Sequence, residues 1–145
     1  NGCPMGQRRG TTSVAVGVLV IVHIPMVPVP KGRPRLSGGH VFTPKRTHDA
    51  ESFIATMVRR VWRSAPTDLP VSLVVRFWFP ELKRKQPGKV PRGDVDNYLK
   101  TVMDALNGVV YKDDRQVVHV DASKLYCAAG GEPGIDLEVV ALDTP

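Results

Sequence analysis

Four carboxylates and one lysine carry the chemistry most plainly written in this sequence. Asp94-Val95-Asp96 sets two carboxylates at i and i+2, which in extended chain point to the same side. Like charges held that close are unfavourable unless a proton or a cation lies between them. A divalent ion resolves the conflict. Mg²⁺ and Mn²⁺ take oxygen from one or two carboxylates and fill their remaining positions with water and phosphate. Asp113 and Asp114 offer a further ligand after the next helix. Lys100 lies one turn beyond Asp96 on the same helical face. It could orient a carboxylate, hold a phosphate or stabilise charge on a leaving oxygen. The same residues also have plainer uses. Asp94 and Asp96 could cap a helix, Asp113-Asp114 could form an ordinary turn, and Lys100 could be a solvated ion pair.

Other chemistries are less well supplied. The Lys31-Gly32 pair lacks the glycine-rich lead of a nucleotide-binding loop. His23, His40, His48 and His119 are scattered, and Cys3 and Cys127 form no CxxC, so no zinc quartet is visible. Ser37 and Ser123 have no evident histidine partner. Basic residues are abundant and segregated. The chain has 145 residues and a net charge of +6. Residues 1–92 hold 16 Lys/Arg against 4 Asp/Glu, and residues 93–145 hold 4 against 10. Lys31, Arg33 and Arg35 occupy a proline-stiffened segment, with Lys45 and Arg46 after it. Lys83, Arg84, Lys85, Lys89 and Arg92 fill a loop over 81–93. If both segments border the carboxylates, they make a positive groove around a negative centre. That pattern suits phosphodiester cleavage, with Lys and Arg on the backbone and a metal activating water. Such contacts position a substrate without reading its sequence.

The elements that must hold these residues follow from periodicity. Residues 16–24 are almost wholly apolar and predict a central strand. Pro25, Pro28, Pro30 and Pro34 then interrupt regular structure, and Gly38-Gly39 marks a hairpin tip. A helix is expected from Thr47 or Asp49 to Ser64, burying Phe53, Ile54, Met57, Val58, Val61 and Trp62. Residues 71–79 predict a strand with Leu73, Val75, Phe77 and Phe79 on one face. A second helix over 96–106 turns Leu99, Val102, Met103 and Leu106 inward. A strand over 117–126 places His119 between buried valines and carries an interior Asp121. Ile135, Leu137 and Val139 alternate in a half-exposed final strand. The result is one α+β domain, a mixed β-sheet packed against two main helices. Residues 1–13 read as a flexible tail and 14–145 as the domain. The apolar stretch 14–24 is too short to span a bilayer and lacks a small-residue cleavage site, so no membrane partner is expected. Two cysteines without a disulfide framework fit a reducing compartment.

The run Arg92-Gly93-Asp94-Val95-Asp96-Asn97-Tyr98-Leu99-Lys100 is followed by Asp104-Ala105-Leu106-Asn107-Gly108 and by Tyr111-Lys112-Asp113-Asp114-Arg115-Gln116-Val117. Together these resemble the signature of RusA-type Holliday junction resolvases. Val29-Pro30-Lys31-Gly32-Arg33-Pro34-Arg35 and Phe42-Thr43-Pro44 resemble the amino-terminal motif of phage and prophage members. The resemblance implies a small α+β homodimer that binds branched DNA, four-way junctions above all, and cuts it with Mg²⁺ or Mn²⁺. It implies metal-holding, catalytic roles for Asp94, Asp96 and Asp114, with Lys100 matching the family's conserved lysine and sharing in catalysis. Asp113 matches a less clearly essential aspartate, and Asn97 and Gln116 match supporting positions. A cytoplasmic location in a bacterial host cell, at the nucleoid if phage-encoded, goes with it. The competing expectation is a DNA-binding module without catalysis, in which the aspartates only cap.

Overall fold

The computed structural model describes residues 14–33 and 35–143. The expected tail over 1–13 falls outside them, as does the side chain of Arg35. Alternating apolar residues make the strands, and apolar residues three or four apart make the helices. In chain order these are β1 (Val14–Ile24), β2 (Arg35–Ser37), β3 (His40–Phe42), α1 (Lys45–Arg59), β4 (Val71–Phe79), α2 (Val95–Leu106), β5 (Val117–Tyr126) and β6 (Gly134–Asp143). A 3₁₀ turn, Asp114–Gln116, leads into β5.

The main sheet runs β1-β6-β4-β5. β6 is antiparallel to both β1 and β4, and β5 is parallel to β4. The sheet is therefore mixed, and α2 is the helix of the β4–β5 crossover. β2 and β3 form a separate hairpin. One sheet face carries the core. Val71, Leu73, Val75 and Phe77 of β4, Leu137 and Val139 of β6, and Val20 and Ile24 of β1 are buried there with Ile54 and Val58 of α1 and Val102 and Leu106 of α2. No helix among the described residues is long and apolar enough to cross a membrane.

Three expectations are corrected. β1 lies at the sheet edge, while β6 and β4 occupy the centre. β1 is apolar on both faces, but only the helix-facing one is covered, and Ile21 on the other is 68% exposed. β5 forms the opposite edge, so Val118 is 59% exposed and His119 is not flanked by buried valines. His119 instead places Nδ1 3.0 Å from Ser72 Oγ. α1 starts earlier and stops sooner than expected, running from just after Pro44 to Arg59. Its buried stripe is Thr47, Ala50, Ile54, Ala55 and Val58, while Phe53 and Val61 are exposed. Small residues let α1 sit close to its neighbours, and counting only large apolar residues rotates the inferred face.

Candidate active site

The head of α2 positions the first two aspartates. Asp94 is the N-cap residue, with extended backbone at φ −87° and ψ 138°, yet its side chain makes no capping hydrogen bond. Asp96 follows in the first turn, and both side chains are exposed. Negative charge there is favoured by the positive end of the helix. The approach to this point is rigid. Gly93 has φ +82°, and a Cβ added to it would lie 2.9 Å from the Tyr98 ring. Tyr98 donates its hydroxyl to the Arg92 carbonyl at 2.9 Å and packs its ring on Phe77 and Phe79, with centroids 5.7 and 5.1 Å away. Lys124 of β5 donates to the carbonyls of Pro91 and Gly93. Sequence reasoning assigned Lys124 nothing. Its only signal was a lysine in register with Phe77, on the core side of the sheet.

Asp114 is presented by the 3₁₀ turn. Asp113 closes that turn by accepting from the Arg115 N–H at 2.9 Å. Gln116 accepts from the N–H groups of Lys112 and Asp113 at 2.9 and 3.0 Å. Its amide donates to the carbonyls of Thr67 and Leu69 at 2.8 and 2.9 Å. Asp113 therefore serves the turn, and the Arg115 N–H holds its carboxyl below the usual carboxylate range. Asp114 faces α2, with Oδ2 3.2 Å from Lys100 Nζ.

Lys100 pairs with Asp114 and, at 3.0 Å, with Asp104. Asp104 belongs to the signature run but was assigned no role from the sequence. Its second oxygen lies 2.9 Å from Lys31, which is also 2.6 Å from Glu51 of α1. Burial pushes the Asp104 carboxyl up, but hydrogen bonds from Lys31 and Lys100 overcome it and hold the group below its ordinary value. A depressed native value contributes stability that is present above the unfolded value and lost as pH falls through the native one. The difference in melting temperature between wild type and Asp104→Asn is thus expected to hold steady at neutral pH. It should close as pH falls below the unfolded value of 3.8 and through the native one. Melts of both proteins across acid pH check this.

Among the described residues, no three Asp, Glu, His or Cys side chains are grouped closely enough to hold a metal ion. Asp94, Asp96 and Asp114 therefore do not form a closed ligand set in this structure. Lys100 supplies the countercharge of Asp114. The donor chemistry nonetheless fits Mg²⁺ or Mn²⁺, since all three candidates offer only oxygen. The carboxylate of Asp94 is also not spent on capping.

The basic residues divide. Arg33 and Arg46 line one cleft with Gly32, Pro44 and Thr47. Arg46 and Arg92 line another with Phe79, Tyr98 and Tyr126. Arg46, common to both, joins segments distant in sequence beside the first turn of α2. Lys45 pairs with Asp49 at 2.7 Å. Lys83, Arg84, Lys85 and Lys89 are exposed in their loop and take part in no ion pair among the described residues. Trp78 donates to Asp136 at 2.9 Å and Trp62 packs against the core, so neither is a free stacking platform.

Fold and site define a small α+β domain with carboxylates at a helix head beside an arginine-lined cleft. The profile of the family described as Endodeoxyribonuclease RusA matches residues 25–140. The chain is also 33% identical over 129 residues to a Bacillus subtilis (strain 168) protein, "Uncharacterized protein YqaN", covering 77% of this chain and 89% of that one. The chain belongs to the RusA endodeoxyribonuclease family.

Proposed function

We propose that this protein is a metal-dependent, structure-selective endodeoxyribonuclease that resolves four-way junctions and related branched DNA. The observation that carries this reading is the pairing of an uncapped Asp94 at the head of α2 with Asp114 held against Lys100 on the same helix. A purely capping role for Asp94 has no hydrogen bond to support it. Asp94, Asp96 and Asp114 would hold Mg²⁺ or Mn²⁺. When bound, such an ion supplies a water of lowered pKa and neutralises charge on the phosphate. Lys100 stabilises negative charge developing on phosphate or leaving oxygen. Arg33, Arg46 and Arg92, with Arg35, Lys45 and the loop residues Lys83, Arg84, Lys85 and Lys89, bind backbone phosphates. A homodimer would set two such sites about a two-fold axis, matching the symmetry of a four-way junction.

Labelled four-way junction and linear duplex of the same sequence, each with Mg²⁺ or EDTA, test this. Cutting confined to the junction and abolished by EDTA is expected. Equal cutting of both substrates, cutting unaffected by EDTA, or tight junction binding without cutting would overturn it.

A further inference from the structure

Two lysines and three carboxylates form one continuous run of ion pairs. It passes from Glu51 of α1 to Lys31, Asp104, Lys100 and Asp114. The run is shielded except at Lys100: side-chain exposure is 20% for Glu51, 19% for Asp104 and 26% for Asp114, but 51% for Lys100. Lys31 is fixed by its backbone as well. Its N–H donates to the Asn97 carbonyl at 3.0 Å, and Gly32 next to it donates to the buried Thr47 hydroxyl at 2.8 Å. A side chain at Gly32 would lie 2.8 Å from Pro44 and Thr47. The Lys31 ammonium thus projects from a segment pinned to both helices and is engaged by two carboxylates, unlike the loop over 83–89.

An ammonium on a four-carbon stem has no fixed place unless something holds it. Lys100 has two partners, Asp104 and Asp114. Under the nuclease reading Asp114 has a second task, and a carboxylate engaged elsewhere is a poor anchor. Asp104 has no such task, and its other oxygen is secured by Lys31. We propose that Asp104 is the positioning residue for Lys100, and that Lys31 braces Asp104 and does not contact DNA phosphate. The effect on cleavage rests on the nuclease reading above. The brace itself is a property of the folded chain and is testable without it.

The experiment measures single-turnover junction cleavage, junction affinity across a salt series, and thermal melts. The variants are Asp104→Asn, Lys100→Ala, their double, Lys31→Met and Lys85→Ala. Asp104→Asn should slow cleavage about tenfold with affinity within about twofold, since it disturbs placement of a reacting group and not binding. The double variant should cut no more slowly than Lys100→Ala alone, the signature of two residues acting through one effect. Lys31→Met should keep the wild-type log–log salt slope, whereas Lys85→Ala should reduce it by about one. Additive losses in the double, or a slope reduced by about one in Lys31→Met, would overturn the proposal. If Asp104→Asn does not fold, Lys31→Met takes its place in the cycle with Lys100→Ala, with the same criterion. If wild type cuts no junction, the nuclease reading fails. The brace is then decided by the melts: non-additive Asp104→Asn and Lys100→Ala shifts uphold it, and additive shifts overturn it.

Discussion

Asp114→Asn is expected to slow junction cleavage by at least about a thousandfold, about 4 kcal/mol of transition-state stabilisation. Junction affinity should change by less than about threefold. Asn keeps the shape of the side chain but removes the charge that faces Lys100 at 3.2 Å and that a divalent ion would require. The 3₁₀ turn should survive, because Asp113 and Gln116 make its hydrogen bonds. Asp113→Asn provides the contrast. It keeps the cap, since Asn accepts the Arg115 N–H as Asp does, and leaves the chemistry largely in place. Gel-based cleavage rates and anisotropy titrations of both variants check this. Cleavage by Asp114→Asn within tenfold of wild type would remove Asp114 from the site.

Gly93→Ala is expected to destabilise the protein by about 3 kcal/mol and to impair cleavage. Two costs combine. At φ +82° an L residue pays about 1–2 kcal/mol for left-handed backbone. The added Cβ also meets the Tyr98 ring at 2.9 Å, and overpacking of that kind costs about 1–3 kcal/mol. The ring has little room to yield, since it lies against Phe77 and Phe79 and its hydroxyl is tied to the Arg92 carbonyl. Any relaxation must move the backbone that delivers Asp94. Urea unfolding measures the first effect and single-turnover cleavage the second. A loss below about 1 kcal/mol would mean that this approach to α2 is looser than its contacts indicate.

Local pattern carried much of the fold. Strict alternation in β4 and the apolar phase of α2 could be read directly because each depends on neighbours a few residues away. The position of β1 could not, because edge or centre is set by which distant strand pairs with it, and a strand apolar on both faces fits either. The stripe of α1 was misread where Ala50 and Ala55 do the packing. The candidate site shows the same division. Asp94, Asp96, Lys100 and Asp114 stood out by charge and spacing. Asp104, though part of the signature run, and Lys124 carried no role until the fold set one between Lys31 and Lys100 and the other beneath the Gly93 carbonyl.

In the proposed function Asp94, Asp96 and Asp114 share a divalent ion. Melting wild type and Asp94→Asn with and without Mn²⁺ tests it most directly. An ion that binds only the folded protein, at a hundred times its dissociation constant, adds about 2.7 kcal/mol, a rise of roughly 8 °C for a domain of this size. Wild type should show that rise and Asp94→Asn only a small part of it. Equal Mn²⁺-induced shifts in the two proteins would mean that Asp94 is not a ligand and would contradict the account.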